Sequence, residues 1–160
     1  MNRWPEPVER VSAVLRAAAV DARIEEFGEG TPTARDAARA VGCELAQIVK
    51  SVVLVCDGAY VLALVPGDRR ADDAAVGAEV GAEEVRVAKA DEVRHATGFE
   101  PGGVAPFPQR AITQTLMDRS FLMYEEVWIG AGTDAHMAAL SPQELLRLTG
   151  ARMVELTGHS

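Results

Sequence analysis

The chain is poor in the features that most often announce a function. It has two cysteines, Cys43 and Cys56, thirteen residues apart and in no Cys-x-x-Cys pattern. That excludes a disulfide framework and reads as reduced, intracellular thiols serving as small buried hydrophobes. It has eight aromatic residues, so Trp4, Phe27, Phe99, Phe107 and Trp128 are worth placing one by one. Positive charge is scarce: 16 Lys and Arg stand against 24 Asp and Glu, a formal net charge of −8. Broad coating of nucleic acid by phosphate neutralisation is therefore excluded, though a local patch could still take a single nucleotide or a short terminus. No continuous apolar run follows Met1-Asn2-Arg3-Trp4-Pro5-Glu6, and none elsewhere approaches membrane-spanning length. The expectation is a cytoplasmic protein.

Catalytic signatures are missing as well. His95, His136 and His159 show no His-x-x-x-His spacing, and His159 sits in a tail expected to fray. There is no Gly-x-Ser-x-Gly elbow, no Walker loop and no dinucleotide fingerprint. No metal and no cofactor are expected. The chemistry that remains open uses backbone, lysine and water.

What is present fits one domain over residues 1–160, long enough to bury roughly two-thirds of its unfolded surface. Val8, Val11, Leu15 and Ala18 recur at helical spacing. Ile24–Phe27 reads as a short strand ended by Gly28-Glu29-Gly30. Thr33, with Asp36 in the capping-box position, opens a helix that Gly42 closes. Val49–Cys56 and Ala59–Val65 are apolar runs around Asp57-Gly58, a hairpin whose faces are both covered. Helices are predicted over Asp72–Val80 and Ala90–Thr97, with a short strand over Val85–Ala88 between them. Further strands are predicted over Ala111–Thr113, Val127–Gly130, Met137–Leu140 and Met153–Leu156, and a short helix over Asp118–Tyr124. Ser141-Pro142-Gln143-Glu144 starts a helix with cap, proline and capping-box glutamate, ending at Gly150. The fold class is mixed α/β (α+β), a central mixed sheet flanked by helices.

Two features stand out. Lys50 lies in Ile48-Val49-Lys50-Ser51-Val52-Val53-Leu54, where an ammonium must snorkel to solvent, find an anion or lose its proton. A strand-end lysine reaching water and a functional lysine are both compatible with that setting. The second feature is Gly98-Phe99-Glu100-Pro101-Gly102-Gly103-Val104-Ala105-Pro106-Phe107-Pro108, with three glycines and three prolines in eleven residues. Its glycines serve either as plain turn residues or as places where backbone approaches a ligand closely, on a frame fixed by proline and seated by aromatics.

These pieces, in order, resemble the YbaK/EbsC family, which is similar to the editing domain inserted in bacterial prolyl-tRNA synthetases. The resemblance rests on Thr31-Pro32-Thr33-Ala34, Ala37-Ala38, Gln47-Ile48-Val49-Lys50-Ser51, Pro66-Gly67-Asp68, Thr97-Gly98-Phe99, Gly102-Gly103-Val104, Pro106-Phe107, Asp118 before Leu122, and Ala131-Gly132. It departs at Pro108, where many relatives have glycine, and at Ala105. It implies a hydrolase that frees a wrong amino acid from the terminal adenosine of tRNA, with a water held by loop backbone and the substrate's ribose hydroxyl. The residues it assigns to catalysis are Lys50, Gly102 and Gly103. Those it assigns to substrate are Phe27, Thr31, Gly98, Phe99, Val104, Pro106, Phe107, Gly132 and His136, the last either tuning specificity or facing solvent. The implied partners are a mischarged tRNA acceptor end and a tRNA synthetase, with no membrane and no DNA. The rival expectations are a catalytically silent module that binds tRNA ends or an aminoacyl-nucleotide, and a hydrolase of an unrelated small ester.

Overall fold

A computed structural model of the protein describes residues 4–28, 30–31 and 33–157; Glu29, Pro32 and His159, used in the sequence reading, lie outside them. The elements in order are α1 (Glu6–Ala17), β1 (Arg23–Glu26), α2 (Ala34–Val41), a 3₁₀ turn (Leu45–Gln47), β2 (Val49–Cys56), β3 (Ala59–Pro66), α3 (Asp73–Val80), β4 (Val85–Val87), α4 (Ala90–Thr97), β5 (Ile112–Asp118), a second 3₁₀ turn (Arg119–Met123), β6 (Val127–Gly130), β7 (His136–Leu140), α5 (Pro142–Thr149) and β8 (Arg152–Val154).

The main sheet is mixed, in the order β4-β2-β3-β5-β8. Its β4-β2-β3 side is antiparallel and its β3-β5-β8 side parallel. A smaller antiparallel sheet, β1-β7-β6, is tied to it by one bridge between Ile48 and Trp128. The central mixed sheet expected from the sequence is thus present, with a second sheet beside it. Asp57 and Gly58 both take positive φ, 47° and 84°, which gives the hairpin turn that matches strand twist. The Asp57 carboxylate also accepts from the Glu83 and Glu84 N–H groups at 3.0 and 2.9 Å, pinning the start of β4 to the hairpin.

Two capping expectations change in detail. Thr33 Oγ1 accepts from Asp36 N at 3.0 Å, but its hydroxyl donates to the Asp36 carboxylate at 2.8 Å, so the acid satisfies the hydroxyl and not the N-terminal backbone. Ser141 caps α5 through Glu144 N at 3.1 Å, while the Glu144 carboxylate pairs with Arg147. Strand β5 runs from Ile112 to Asp118, well past the predicted Thr113. Thr113 and Gln114 are exposed and hid the pattern, while Leu116 and Met117 are fully buried between parallel neighbours. The helix predicted over Asp118–Tyr124 is the 3₁₀ turn capped by Asp118, and the last strand is Arg152–Val154.

Alternation along β2 feeds two cores. Val49 and Val53 join Phe99, Phe107, Phe121 and Ile129 on one face, and Leu54 and Cys56 join Leu116, Val76 and Leu156 on the other. A third cluster packs Ala37 and Ala38 of α2 against Ile48, Trp128 and Met137. Both cysteines are free, Cys56 buried and Cys43 half-buried, and burial pushes each thiol up. Among the described residues no helix is long and apolar enough to cross a membrane.

Candidate active site

β4 pairs only with Leu54–Cys56, and beyond them the Ala88 N–H reaches the Val53 carbonyl at 3.0 Å. Since main-chain groups of a strand alternate sides, the Ser51 N–H and C=O lie on the edge that β4 leaves uncovered. Along that edge opens a cleft of about 360 Å³. Lys50, Ser51 and Val52 form one wall, Gly102 and Val104 another, and Thr31, Thr33, Ala34 and Ala37 a third, with Gly130 and Met137 also lining it.

Lys50 resolves its dilemma through backbone: its ammonium donates to the Arg69 carbonyl oxygen in the loop after β3. Burial, seconded by Arg70, holds the ammonium below its usual range, and Asp68 opposes them. The side chain is a half-buried cation at the mouth of an otherwise uncharged cleft.

The glycine loop is seated from below. Gly98 ends α4 in the left-handed region, φ 80°, and the next residue, Phe99, is 1% exposed in the main core with Ala105 and Phe107. The Arg10 guanidinium donates to the Gly98 carbonyl at 2.7 Å and lies 4.6 Å over the Phe99 ring, so α1 holds the loop's root. Gly102 has φ 90° with open space where a side chain would be, and it borders the cleft. Gly103 has no such freedom: a Cβ there would meet Thr133 Cα at 2.8 Å, and its N–H already donates to the Glu100 carbonyl at 2.9 Å. The Phe107–Pro108 peptide is cis. Glu100 is exposed and pairs with Arg94 at 2.9 Å.

Of the residues singled out from sequence, Lys50, Gly102, Val104 and Thr31 therefore meet at one cleft. Thr31 is buried, its hydroxyl donating to the Asp134 carbonyl at 3.1 Å. Gly98, Phe99, Gly103, Pro106 and Phe107 do not line it: Gly98 is half-buried and the other four are buried. Phe27 donates its N–H to Ala135 O at 2.7 Å and lines a separate depression with Asp36 and Arg39. Gly132, φ 110°, presents its Cα to the Pro7 carbonyl, where a Cβ would lie 2.7 Å from backbone.

His136 is neither on the cleft nor facing solvent. It is 3% exposed, Nδ1 is 2.6 Å from Thr133 Oγ1, and its ring meets Trp4 edge-on at 5.6 Å. Its Nε2 lies 3.2 Å from the Glu26 carboxylate, within ion-pair range but at an angle that makes no hydrogen bond. Ser51 and Met137 are cleft residues that sequence reasoning passed over. The Ser51 hydroxyl is buried with no hydrogen-bond partner among the described residues, and only its place beside Lys50 could have drawn attention to it. Among the described residues no group of three or more His, Cys, Asp or Glu could hold a metal ion.

Comparison with known proteins adds three findings. A family model for the aminoacyl-tRNA editing domain matches residues 28–148. The fold superposes with a TM-score of 0.89 on the crystal structure of a candidate trans-editing enzyme for prolyl tRNA synthetase, at 36% identity over 98% of this chain and 99% of that one. A proline–tRNA ligase of Xanthomonas oryzae pv. oryzae is 30% identical over 138 residues, 84% of this chain but 24% of the ligase. The chain thus spans about a quarter of that ligase's length. The protein YwhH of Bacillus subtilis, of uncharacterised function, is 29% identical over 76% of this chain and 78% of its own.

Proposed function

The chain belongs to the aminoacyl-tRNA editing domain family, and on that premise we propose that it is a deacylase that releases a wrongly attached amino acid from tRNA in trans. The observation that carries the reading is the convergence of Lys50 and the Gly102 loop on one cleft at an open strand edge. A water adds to the ester carbonyl, the bond from the acyl carbon to the ribose oxygen breaks, and the ribose oxygen takes a proton. The products are free amino acid and tRNA.

Lys50 holds and orients the anionic end of the substrate, a task for which a half-buried ammonium already fixed by the Arg69 carbonyl is suited. The Gly102 backbone, bare of a side chain on the cleft side, faces the reacting carbonyl or the water. Gly103 contributes by fixing the turn, since its N–H is already engaged by Glu100. The partners are the acceptor end of a mischarged tRNA and, through the likeness to prolyl-tRNA synthetase, that enzyme's tRNA.

The test is a panel of mischarged tRNAs incubated with wild type and Lys50→Ala. Release of amino acid from at least one by wild type, lost in a folded Lys50→Ala, is the expected result. Binding of tRNA without release from any, or near-normal rates in Lys50→Ala, overturns the proposal.

A further inference from the structure

The turn at residues 66–69, after β3, carries a glycine that the turn itself does not need. The Arg69 N–H donates to the Pro66 carbonyl at 3.0 Å, which makes Gly67 and Asp68 the central residues. Neither has a positive φ, and a turn of that kind accepts most residues in the place of Gly67. What demands glycine there is packing. A Cβ on Gly67 would lie 2.6 Å from the Leu45 carbonyl oxygen, 3.0 Å from Ala34 Cβ and 3.2 Å from Ile48 Cβ. Its N–H donates to the Ile48 carbonyl at 2.8 Å, and Ala34 and Ile48 both line the cleft that Lys50 borders. We infer that Gly67 is a positioning residue: by seating the turn against α2 and the start of β2 it fixes the Arg69 carbonyl, and through that oxygen the Lys50 ammonium, relative to the Ala34 wall. The inference rests on the deacylase reading for what Lys50 meets there.

The chain of contacts is short. The Lys50 ammonium donates to the Arg69 carbonyl and makes no other hydrogen bond among the described residues. A lysine head sits on a flexible stem, so one acceptor decides where its charge rests. That acceptor belongs to a loop tied at both ends. Gly67 ties the near end to Ile48. At the far end the Asp72 N–H donates to the Leu156 carbonyl at 2.7 Å, and Arg69 Nη1 donates to Thr157 Oγ1 at 3.5 Å. Asp118 in turn holds Leu156 through its N–H at 2.8 Å. Between the ties, Asp68 and Arg70 set opposite charges beside the ammonium. A methyl group needs about 3.5–4.0 Å from a neighbouring carbon. Gly67→Ala therefore pushes the turn off Ala34 by roughly 0.5 Å or more. The Arg69 carbonyl moves with the turn, and the ammonium follows its acceptor.

Lys50 and Lys89 are the chain's two lysines, so isotope-labelled lysine gives two side-chain NMR signals from the full protein. In Gly67→Ala the Lys50 signal is expected to move and the Lys89 signal to stay. With it, kcat/KM for deacylation falls at least about ten-fold, within the roughly hundred-fold that an ångström of misplacement can cost. Gly77→Ala is the control, since a Cβ there would crowd Ala82 at 2.9 Å and Val85 at 3.4 Å, not the turn. It should lower the melting temperature and leave both the Lys50 signal and kcat/KM unchanged. An unmoved Lys50 signal or an unchanged kcat/KM in folded Gly67→Ala overturns the inference, as does a Gly77→Ala that reproduces both effects. Where Gly67→Ala fails to fold, Arg69→Ala decides by the same two readouts: it keeps the main-chain groups and removes only an exposed side chain's hold on Thr157. Should wild type release no amino acid from any tRNA, the deacylase reading falls, and the NMR signals alone decide whether Gly67 sets Lys50.

Discussion

A methyl group at Gly103 would sit 2.8 Å from Thr133 Cα and 3.0 Å from the Gly132 carbonyl oxygen, backbone atoms that move only if the β6–β7 turn moves. Gly103→Ala should therefore cost about 1–3 kcal/mol, the usual range for overpacking, and lower the melting temperature together with activity. At Gly102 the space is open and the obstacle is φ 90°, a conformation that costs a residue with a Cβ about 1–2 kcal/mol. Gly102→Ala should lose less stability and more deacylation. An unchanged melting temperature for Gly103→Ala would refute the packing account. Lys50 gives a second prediction at this scale. Its ammonium is held below 10.5 by burial first and Arg70 second, with Asp68 opposing. Unfolding restores the ordinary value, so between the lowered pKa and 10.5 the unfolded chain binds more protons, and raising the pH through that window stabilises the fold. Below it both states are charged and the burial cost is constant. The stability gained by Lys50→Met should be greatest near neutrality and shrink as pH climbs toward 10.5, read by denaturant unfolding; parallel curves would deny the shift. Lys50 was legible in the sequence because a lone cation stands out in an apolar run. The division of labour between Gly102 and Gly103 was not, because a glycine carries no sign of what faces it. The seclusion of His136, held by Thr133 nearby, depends also on Trp4 and Glu26, which are far along the chain.

At the scale of elements, Asp118 joins three of them. Its side chain is 2% exposed; Oδ1 accepts from Leu156 N at 2.8 Å and Oδ2 from Ser120 N at 3.1 Å, so one carboxylate ends β5, caps the 3₁₀ turn and fixes the chain leaving β8. Asp118→Ala strands a buried N–H and should cost about 1–3 kcal/mol. Asp118→Asn, which keeps an acceptor, should cost less, and urea midpoints of the two variants decide the matter. Equal losses would assign the effect to charge and not to hydrogen bonding. The hairpin and the glycine-stopped helices α2 to α5 were readable because each is specified by neighbouring residues: Asp57-Gly58, Thr33, Gly42, Gly98, Ser141. Strand β5 was read short because its first half is exposed and only its last residues meet both parallel neighbours, and β8 was read late because Leu156 serves the cap and not the ladder.

For the molecule as a whole, a net charge of −8 limits how many phosphates it can neutralise. If the acceptor end is held by Lys50 and Arg70 alone, the logarithmic salt dependence of tRNA binding should be no steeper than about −2, at about −0.7 per single-strand phosphate contact. A slope several times larger would mean a wider basic contact than these two side chains provide. The glycine loop and the turn before β7 are held by the first helix: Arg10 grips the root of the loop, and Pro7 fills the space beside Gly132. Helix and loop are therefore expected to open together. The amides of α1 and of residues 98–104 should then behave as one cooperative opening unit, converging in native-state hydrogen exchange on a common opening free energy as denaturant is added, ahead of β3 at the sheet's centre. Protease nicking at the glycine loop then becomes a report on the docking of a helix nearly ninety residues earlier in the chain, the separation between Arg10 and Gly98.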